Sequence, residues 1–348
     1  MRMHVTRPLI GVFGAALLCA APSAQTPVSE MDAHINAAKA AAGLDYRATF
    51  VNLCFAGANP GLANPAVARA GGAAPPAGRA AGGRGAAATP DRATWYASPY
   101  KVFDNFYWLG TRQHSSWALR TSEGLIIIDT NFAWATEPEI INGLTTLGLD
   151  PRQIKYVVIS HAHGDHDQGA AELQKRFGAK VVMGAPDWEA TLKRPAAAAG
   201  GVPTRDVVVT AAGMKLTLGD TTLDIIPTPG HTPGTLSYVF PVKDQGRTVM
   251  VAYSGGTLTG AFGGDASRWD EYIESQNRIA KAAANAGATV LLSNHSEYDN
   301  AYTKARLIAA KREVGEEHPF VVGAAAVQRY FTVMTECALA SRLRAGAK

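Results

Sequence analysis

Beyond Tyr100, the apolar positions of this chain cluster in short runs separated by Gly-, Gln- or Glu-containing turns. Runs of that length read as strands, because a helix needs a longer periodic stretch. They are Val102–Leu109, Ser116–Arg120, Leu125–Asp129, Tyr156–Ile159 and Lys180–Met183, followed by Val207–Val209, Met214–Leu218 and Thr222–Ile226. Thr235–Phe240, Thr248–Ala252 and Thr289–Leu292 complete the set. Helical spacing marks Ala135–Leu147, Gln168–Phe177 (stopped by Gly178), Ser267–Asn285, Tyr302–Arg312 and Val321–Leu339. Residues 29–43 predict another short helix, with Ser29 as its cap and Gly43 as its stop. This order predicts an α+β protein, an αββα sandwich of two mixed β-sheets flanked by helices. No internal repeat is visible, which argues against a solenoid.

Two segments stand apart from that pattern. Arg2 and Arg7 precede an apolar stretch from Leu9 to Ala21, with small residues through Ala24. That arrangement predicts a signal peptide over residues 1–24, cleaved between Ala21 and Ala24. The apolar run is too short to cross a bilayer, which takes about 20 residues. Residues 56–92 are rich in Ala, Gly, Pro and Arg, offer little to bury, and read as a low-complexity linker. Residues 25–55 are then an N-terminal helical arm and residues 93–348 the main domain.

Composition changes the picture in two respects. The formal net charge of +4 would fall to +2 with the loss of Arg2 and Arg7, too little to imply nucleic-acid or membrane binding. The expectation is an exported, periplasmic monomer that acts on a small molecule. Cys54 and Cys337 would remain after cleavage, either bridged or as two buried thiols. Neither lies near the histidine-rich segment, which argues against a zinc-thiolate role.

That segment, Ser160-His161-Ala162-His163-Gly164-Asp165-His166, follows a strand and gathers three imidazoles and a carboxylate. These side chains suit borderline divalent metals, zinc foremost. Pro227-Thr228-Pro229-Gly230-His231-Thr232-Pro233-Gly234 holds one imidazole in a rigid turn, and Leu291-Leu292-Ser293-Asn294-His295 ends a strand on another. Five of the nine histidines lie in these three segments. Tyr253-Ser254-Gly255-Gly256-Thr257-Leu258 also follows a strand and carries no ligand of its own. It would bring backbone amides and the hydroxyls of Ser254 and Thr257 near the site, or serve as a structural turn.

In this order the motifs resemble those of the metallo-β-lactamase superfamily, from about Val102 to Glu297. Asp129 resembles the family's early aspartate, which supports the metal loop from behind. Many relatives place a bridging aspartate where this chain reads Gly256, or Cys or Ser where it reads Thr257. The pattern is similar to the third subclass of zinc β-lactamases. The resemblance implies two Zn2+, the first held by His161, His163 and His231 and the second by Asp165, His166 and His295. His295 precedes Ser296-Glu297, where that subclass often has Pro. It further implies a zinc-dependent hydrolase that opens the β-lactam amide by attack of a metal-bound hydroxide, an antibiotic-resistance activity. Asp165 would orient the hydroxide and the second zinc would hold the leaving atom. His114, Trp117, Tyr253 and Tyr298 are exposed candidates around the groove. A dizinc hydrolase of another ester, lactone or thioester is the alternative, and a zinc-binding protein without catalysis a third reading.

Overall fold

A computed structural model describes residues 28–55, 89–257, 262–310, 312, 313 and 315–347. The segment expected to be a signal peptide, and residues 56–88 of the expected linker, lie outside the described residues. Among the described residues, twelve strands form two sheets. The first runs β1 (Tyr100–Phe103), β2 (Phe106–Trp108), β3 (Trp117–Thr121), β4 (Gly124–Ile128), β5 (Ile154–Val158), β6 (Lys180–Gly184) and β7 (Val207–Val209) in spatial as well as chain order. Its first half is an antiparallel meander and its second half, from β4 onward, is parallel. The second sheet contains β8 (Met214–Leu218), β9 (Thr221–Pro227), β10 (Leu236–Asp244), β11 (Arg247–Ser254) and β12 (Val290–Ser293). It is antiparallel except where β11 and β12 run parallel.

The long helices are α1 (Glu30–Ala42), α2 (Arg47–Cys54), α3 (Ala170–Phe177), α4 (Ala185–Leu192), α5 (Ala266–Asn285) and α6 (Ala324–Arg344). Side chains alternate across each strand, and β4 shows why its apolar run is continuous. Ile126 and Ile128 enter the core between the sheets with Trp117, Phe240 and Leu292, whereas Leu125 and Ile127 pack outward with Leu173 and Trp188 of the helix layer. A separate outer cluster joins α1, α2, α5 and α6 to the other sheet, through Tyr46, Ile279, Leu291 and Tyr330. The layers are therefore helix, sheet, sheet, helix, as the apolar pattern predicted. The Cys54–Cys337 disulfide, left open by the sequence, ties α2 to α6.

Several element boundaries differ from expectation for local reasons. Val102–Leu109 is two strands, because Asp104-Asn105 forms a turn and the Asp104 amide donates to the Lys243 carbonyl at 2.7 Å. The stretch expected as one helix over 135–147 includes a π-helical segment, Thr136–Ile141. Pro138 lies within it and cannot donate a backbone hydrogen bond. Helix α4, which the apolar pattern did not reveal, starts Ala185-Pro186-Asp187, with proline in the first turn, where its missing N–H costs nothing. The helix expected over 302–312 is Ala301–Leu307, and the last begins at Ala324 and runs on to Arg344.

Candidate metal centre

β4, β5, β11 and β12 deliver their following residues to one edge of the sandwich. The backbone crosses between the sheets there, as the Leu236 amide donates to the Ser160 carbonyl at 2.8 Å. On this edge His231 Nε2 lies 3.1 Å from His161 Nε2 and 3.1 Å from His163 Nδ1. Beside this triad, Asp165 Oδ2 lies 3.2 Å from His295 Nε2 and 3.3 Å from His166 Nε2, and the two imidazole nitrogens are 3.2 Å apart. A tetrahedral ion with ligands at about 2.0–2.1 Å has edges of about 3.3–3.4 Å, so both triads have the spacing of ligands around a shared ion. The triads adjoin, with the rings of His161 and His166 centred 4.4 Å apart.

The rings are oriented from behind. His161 Nδ1 faces the Gly255 carbonyl at 2.9 Å; since that oxygen only accepts, Nδ1 carries the proton and Nε2 offers its lone pair. His166 Nδ1 lies 3.1 Å from Asp129 Oδ2, a carboxylate–imidazole pair that points Nε2 into the site. Asp129 is fully buried and held in turn by the Ser160 amide at 2.7 Å, the Ser160 hydroxyl at 2.8 Å and the Tyr253 hydroxyl at 2.9 Å. Its backbone takes φ 58°, an uncommon conformation for a non-glycine residue that aims the carboxylate at this loop. Glu297 Oε1 sits 3.7 Å from His295 Nδ1 and also accepts from Gln113 Nε2 at 3.2 Å.

Electrostatics divides the triads. Burial, reinforced by neighbouring imidazoles, keeps His161 and His163 below the usual histidine range, so both present lone pairs near neutrality. Burial works against charge on Asp165 as well, but His166 and His295 outweigh it and hold the carboxyl well below the usual range. Burial likewise opposes the His166 cation, and Asp165 and Asp129 reverse the balance, pushing that imidazole up to about 10. Burial opposes the His295 cation as well, and Asp165 and Glu297 push it up to about 9, so an incoming metal ion must displace a proton from each of these two imidazoles.

The sequence profile described as Metallo-beta-lactamase superfamily matches residues 109–244. Together with the sandwich and the two triads, this decides the family. The chain carries a metallo-β-lactamase superfamily domain. Among solved structures, the subclass B3 metallo-β-lactamase BJP-1 of Bradyrhizobium japonicum is similar at 27% identity, with a TM-score of 0.56, over 72% of this chain and 97% of that one. A metallo-β-lactamase of Cronobacter sakazakii with a HARLDQ motif is similar at 26% identity and a TM-score of 0.59, over 74% and 94%. A hydroxyacylglutathione hydrolase of Acidiphilium cryptum is 34% identical over 88 residues, 25% of this chain and 31% of that enzyme. The chain spans 31% to 58% of the length of the curated relatives it matches.

Within the metallo-β-lactamase domain, the structure brings together the six residues singled out by the motifs, and Asp129 behind them. The groove candidates require correction. Trp117, Tyr253 and Tyr298 are buried rather than exposed, because their rings fill the cores on either side of the second sheet. Thr257 does not turn its hydroxyl toward the triads: it is buried, and its Oγ1 bonds with Ser293, Asn294 and Tyr330, while Ser254 is buried beside it. That segment contributes a carbonyl, that of Gly255, rather than the expected amides and hydroxyls. His114 does approach, with Nε2 3.7 Å from Asp165 Oδ2.

Sequence patterns missed Asp187, which is buried on α4 and accepts from the Ala162 amide at 2.7 Å and the Gly234 amide at 2.9 Å. A Cβ on Gly234 would stand 2.5 Å from that carboxyl. Nothing local distinguishes Asp187 from a helix-capping acid. Its partners lie far along the chain.

Proposed function

We propose that the protein is a dizinc hydrolase that opens the amide of a β-lactam. His161, His163 and His231 would hold one Zn2+, and Asp165, His166 and His295 the other. The observation that carries this reading is Gly256. A Cβ there would stand 2.7 Å from His231 Cβ and 2.8 Å from Thr235 Cγ2, so the position has no room for a bridging aspartate, and Thr257 beside it carries no thiolate. That leaves Asp165 as the one carboxylate among six ligands. A bound divalent ion lowers the pKa of water toward neutrality and polarises a carbonyl, an effect worth several kcal/mol.

The chain's own groups do the rest. Ligation takes each imidazole in its neutral form, so five imidazoles and one carboxylate would preserve most of the metal charge for the substrate. Asp165, the carboxylate of the second triad, can orient the nucleophile. Asp129 and the Gly255 carbonyl fix the imidazoles, so little reorganisation accompanies binding. The site supplies no dedicated strong acid in this scheme, which suits a strained ring that expels its nitrogen readily.

The similar metallo-β-lactamases align over nearly their whole length, which supports the β-lactam reading. The curated relatives named as hydroxyacylglutathione hydrolases favour a thioester as the second reading. The disulfide favours an oxidising compartment, consistent with export to the periplasm.

The test offers zinc-loaded protein a chromogenic cephalosporin and an S-acyl glutathione, each with and without a chelator. Chelator-sensitive cephalosporin turnover is expected. Thioester turnover alone would establish the second reading, and no chelator-sensitive turnover of either would overturn both.

A further inference from the structure

We propose that Arg194 is the positioning residue of His163: its guanidinium fixes the backbone from which this imidazole offers its nitrogen to the first metal position. The inference rests on the metal reading above. Arg194 lies just beyond the end of α4, where its amide donates to the Thr191 carbonyl at 3.1 Å. Its Nη1 pairs with Asp167 Oδ2 at 2.6 Å, and its Nη2 donates to the Ala162 carbonyl at 2.7 Å. One partner precedes His163 in the chain and the other follows it.

This hold suits the way His163 enters the site. It faces His231 Nε2 through Nδ1, whereas His161 does so through Nε2. Nδ1 is the ring nitrogen nearer the backbone, so the main chain sets its position more tightly than it would set that of Nε2. A rotation of the peptide between Ala162 and His163 would carry the nitrogen with it, and Arg194 grips the oxygen of that peptide. Asp187 grips the preceding one through the Ala162 amide at 2.7 Å. Both peptide groups between His161 and His163 are therefore held by side chains from α4 and its end. On the far side, the Asp167 amide donates to the His163 carbonyl at 3.0 Å, and the carboxylate of the same residue binds Arg194.

The pairing converts charge into geometry. The Asp167 side chain is 1% exposed, and a carboxylate buried to that degree requires a partner. A guanidinium is planar with its donors at fixed spacing, so seating one nitrogen on Asp167 also places the other on Ala162. A lysine would match the charge with a single ammonium and lack that fork. Arg194 acts on the metal position through the backbone of the loop, as a residue behind the ligands, and ligands held loosely from behind bind metal more weakly.

Calorimetric zinc titration of the full chain tests this, with the first position identified as the one lost in His163→Ala. Removing Arg194 alone would strand the buried Asp167 carboxylate, so the informative variant is the pair Arg194→Met with Asp167→Asn, which keeps the apolar stem and removes both charges. Its apo-protein is expected to melt as a folded chain, to bind zinc at the first position about 10–100-fold more weakly, and to bind the second as in wild type. Wild-type affinity at both positions would overturn the inference, and so would an equal loss at both, which marks a general loosening of the fold. Arg194→Lys, which keeps a charge beside Asp167, is expected to lose about 10-fold at the first position alone. Wild-type affinity in Arg194→Lys would contradict the role of the paired donors. A wild-type chain that binds one zinc, lost in His163→Ala, would overturn the two-metal reading and leave this inference standing; one that binds none would overturn both.

Discussion

The Thr232 hydroxyl donates to the Asp187 carboxylate at 2.8 Å, and through that bond the loop bearing His231 is joined to the loop bearing His161 and His163. The same carboxyl accepts from the amides of Ala162 and Gly234, so one buried side chain sets the separation of three imidazoles contributed by two loops. Replacing it with Asn puts an N–H group opposite a donor. Asp187→Asn is therefore expected to weaken zinc at the three-histidine position by about 10–100-fold, without a comparable loss at the other. Calorimetric titration checks this; unchanged affinity would show that the loops hold their spacing without Asp187.

Gly256 lies against His231, and the space for a side chain is already filled. Gly256→Ala should displace His231, destabilise the fold by about 1–3 kcal/mol and lower the occupancy of the first metal more than that of the second. Chemical denaturation of the apo-protein and metal analysis of the reloaded protein give the two numbers. A variant as stable and as fully loaded as wild type would contradict the packing argument.

Glu139 provides a pH signature. Burial pushes its carboxyl up to about 8, with only the Ala97 amide, at 3.2 Å, as a hydrogen-bond donor. The folded state thus holds this proton more tightly than the unfolded chain, where a glutamate titrates near about 4.3. The resulting stability is complete below the unfolded value and is lost as pH rises through about 8. Glu139→Gln should abolish that slope, making the apo-protein more stable than wild type by about 1–3 kcal/mol at pH 8.5 relative to the comparison at pH 5. Melting profiles in chelator across this range decide it; parallel profiles would refute it.

The Cys54–Cys337 bridge closes a span of 283 positions and staples α2 to α6. Breaking it with the pair Cys54→Ser and Cys337→Ser should cost about 2–5 kcal/mol, measured by denaturant unfolding. Because the cross-link lies in the outer helical layer, both zinc affinities should remain at wild-type values.

The six residues of the triads were legible because their signals are local: short motifs after apolar runs, with imidazoles at ligand spacing. The sandwich was legible for the same reason, since β4 and β5 read as strands from their short apolar runs. What escaped detection depends on contacts between distant parts of the chain. Asp187 looks like an ordinary first-turn acid until Ala162 and Gly234 fold onto it. Tyr253 and Trp117 looked like groove aromatics because sequence does not show which face of a strand meets the opposite sheet. Thr257 follows two glycines at the end of β11, and only the fold reveals that its hydroxyl turns toward Tyr330. Pro138 did not reveal that its helix would widen into a π-turn.

Zinc content is the most direct measurement of the central claim. Full-length protein stripped with chelator, reloaded with excess zinc and desalted should retain two zinc ions per chain by mass spectrometry of the metal. His163→Ala should retain one, because His161 and His231 alone do not complete the first position. One zinc or none in the wild type, or two in the variant, would contradict the account.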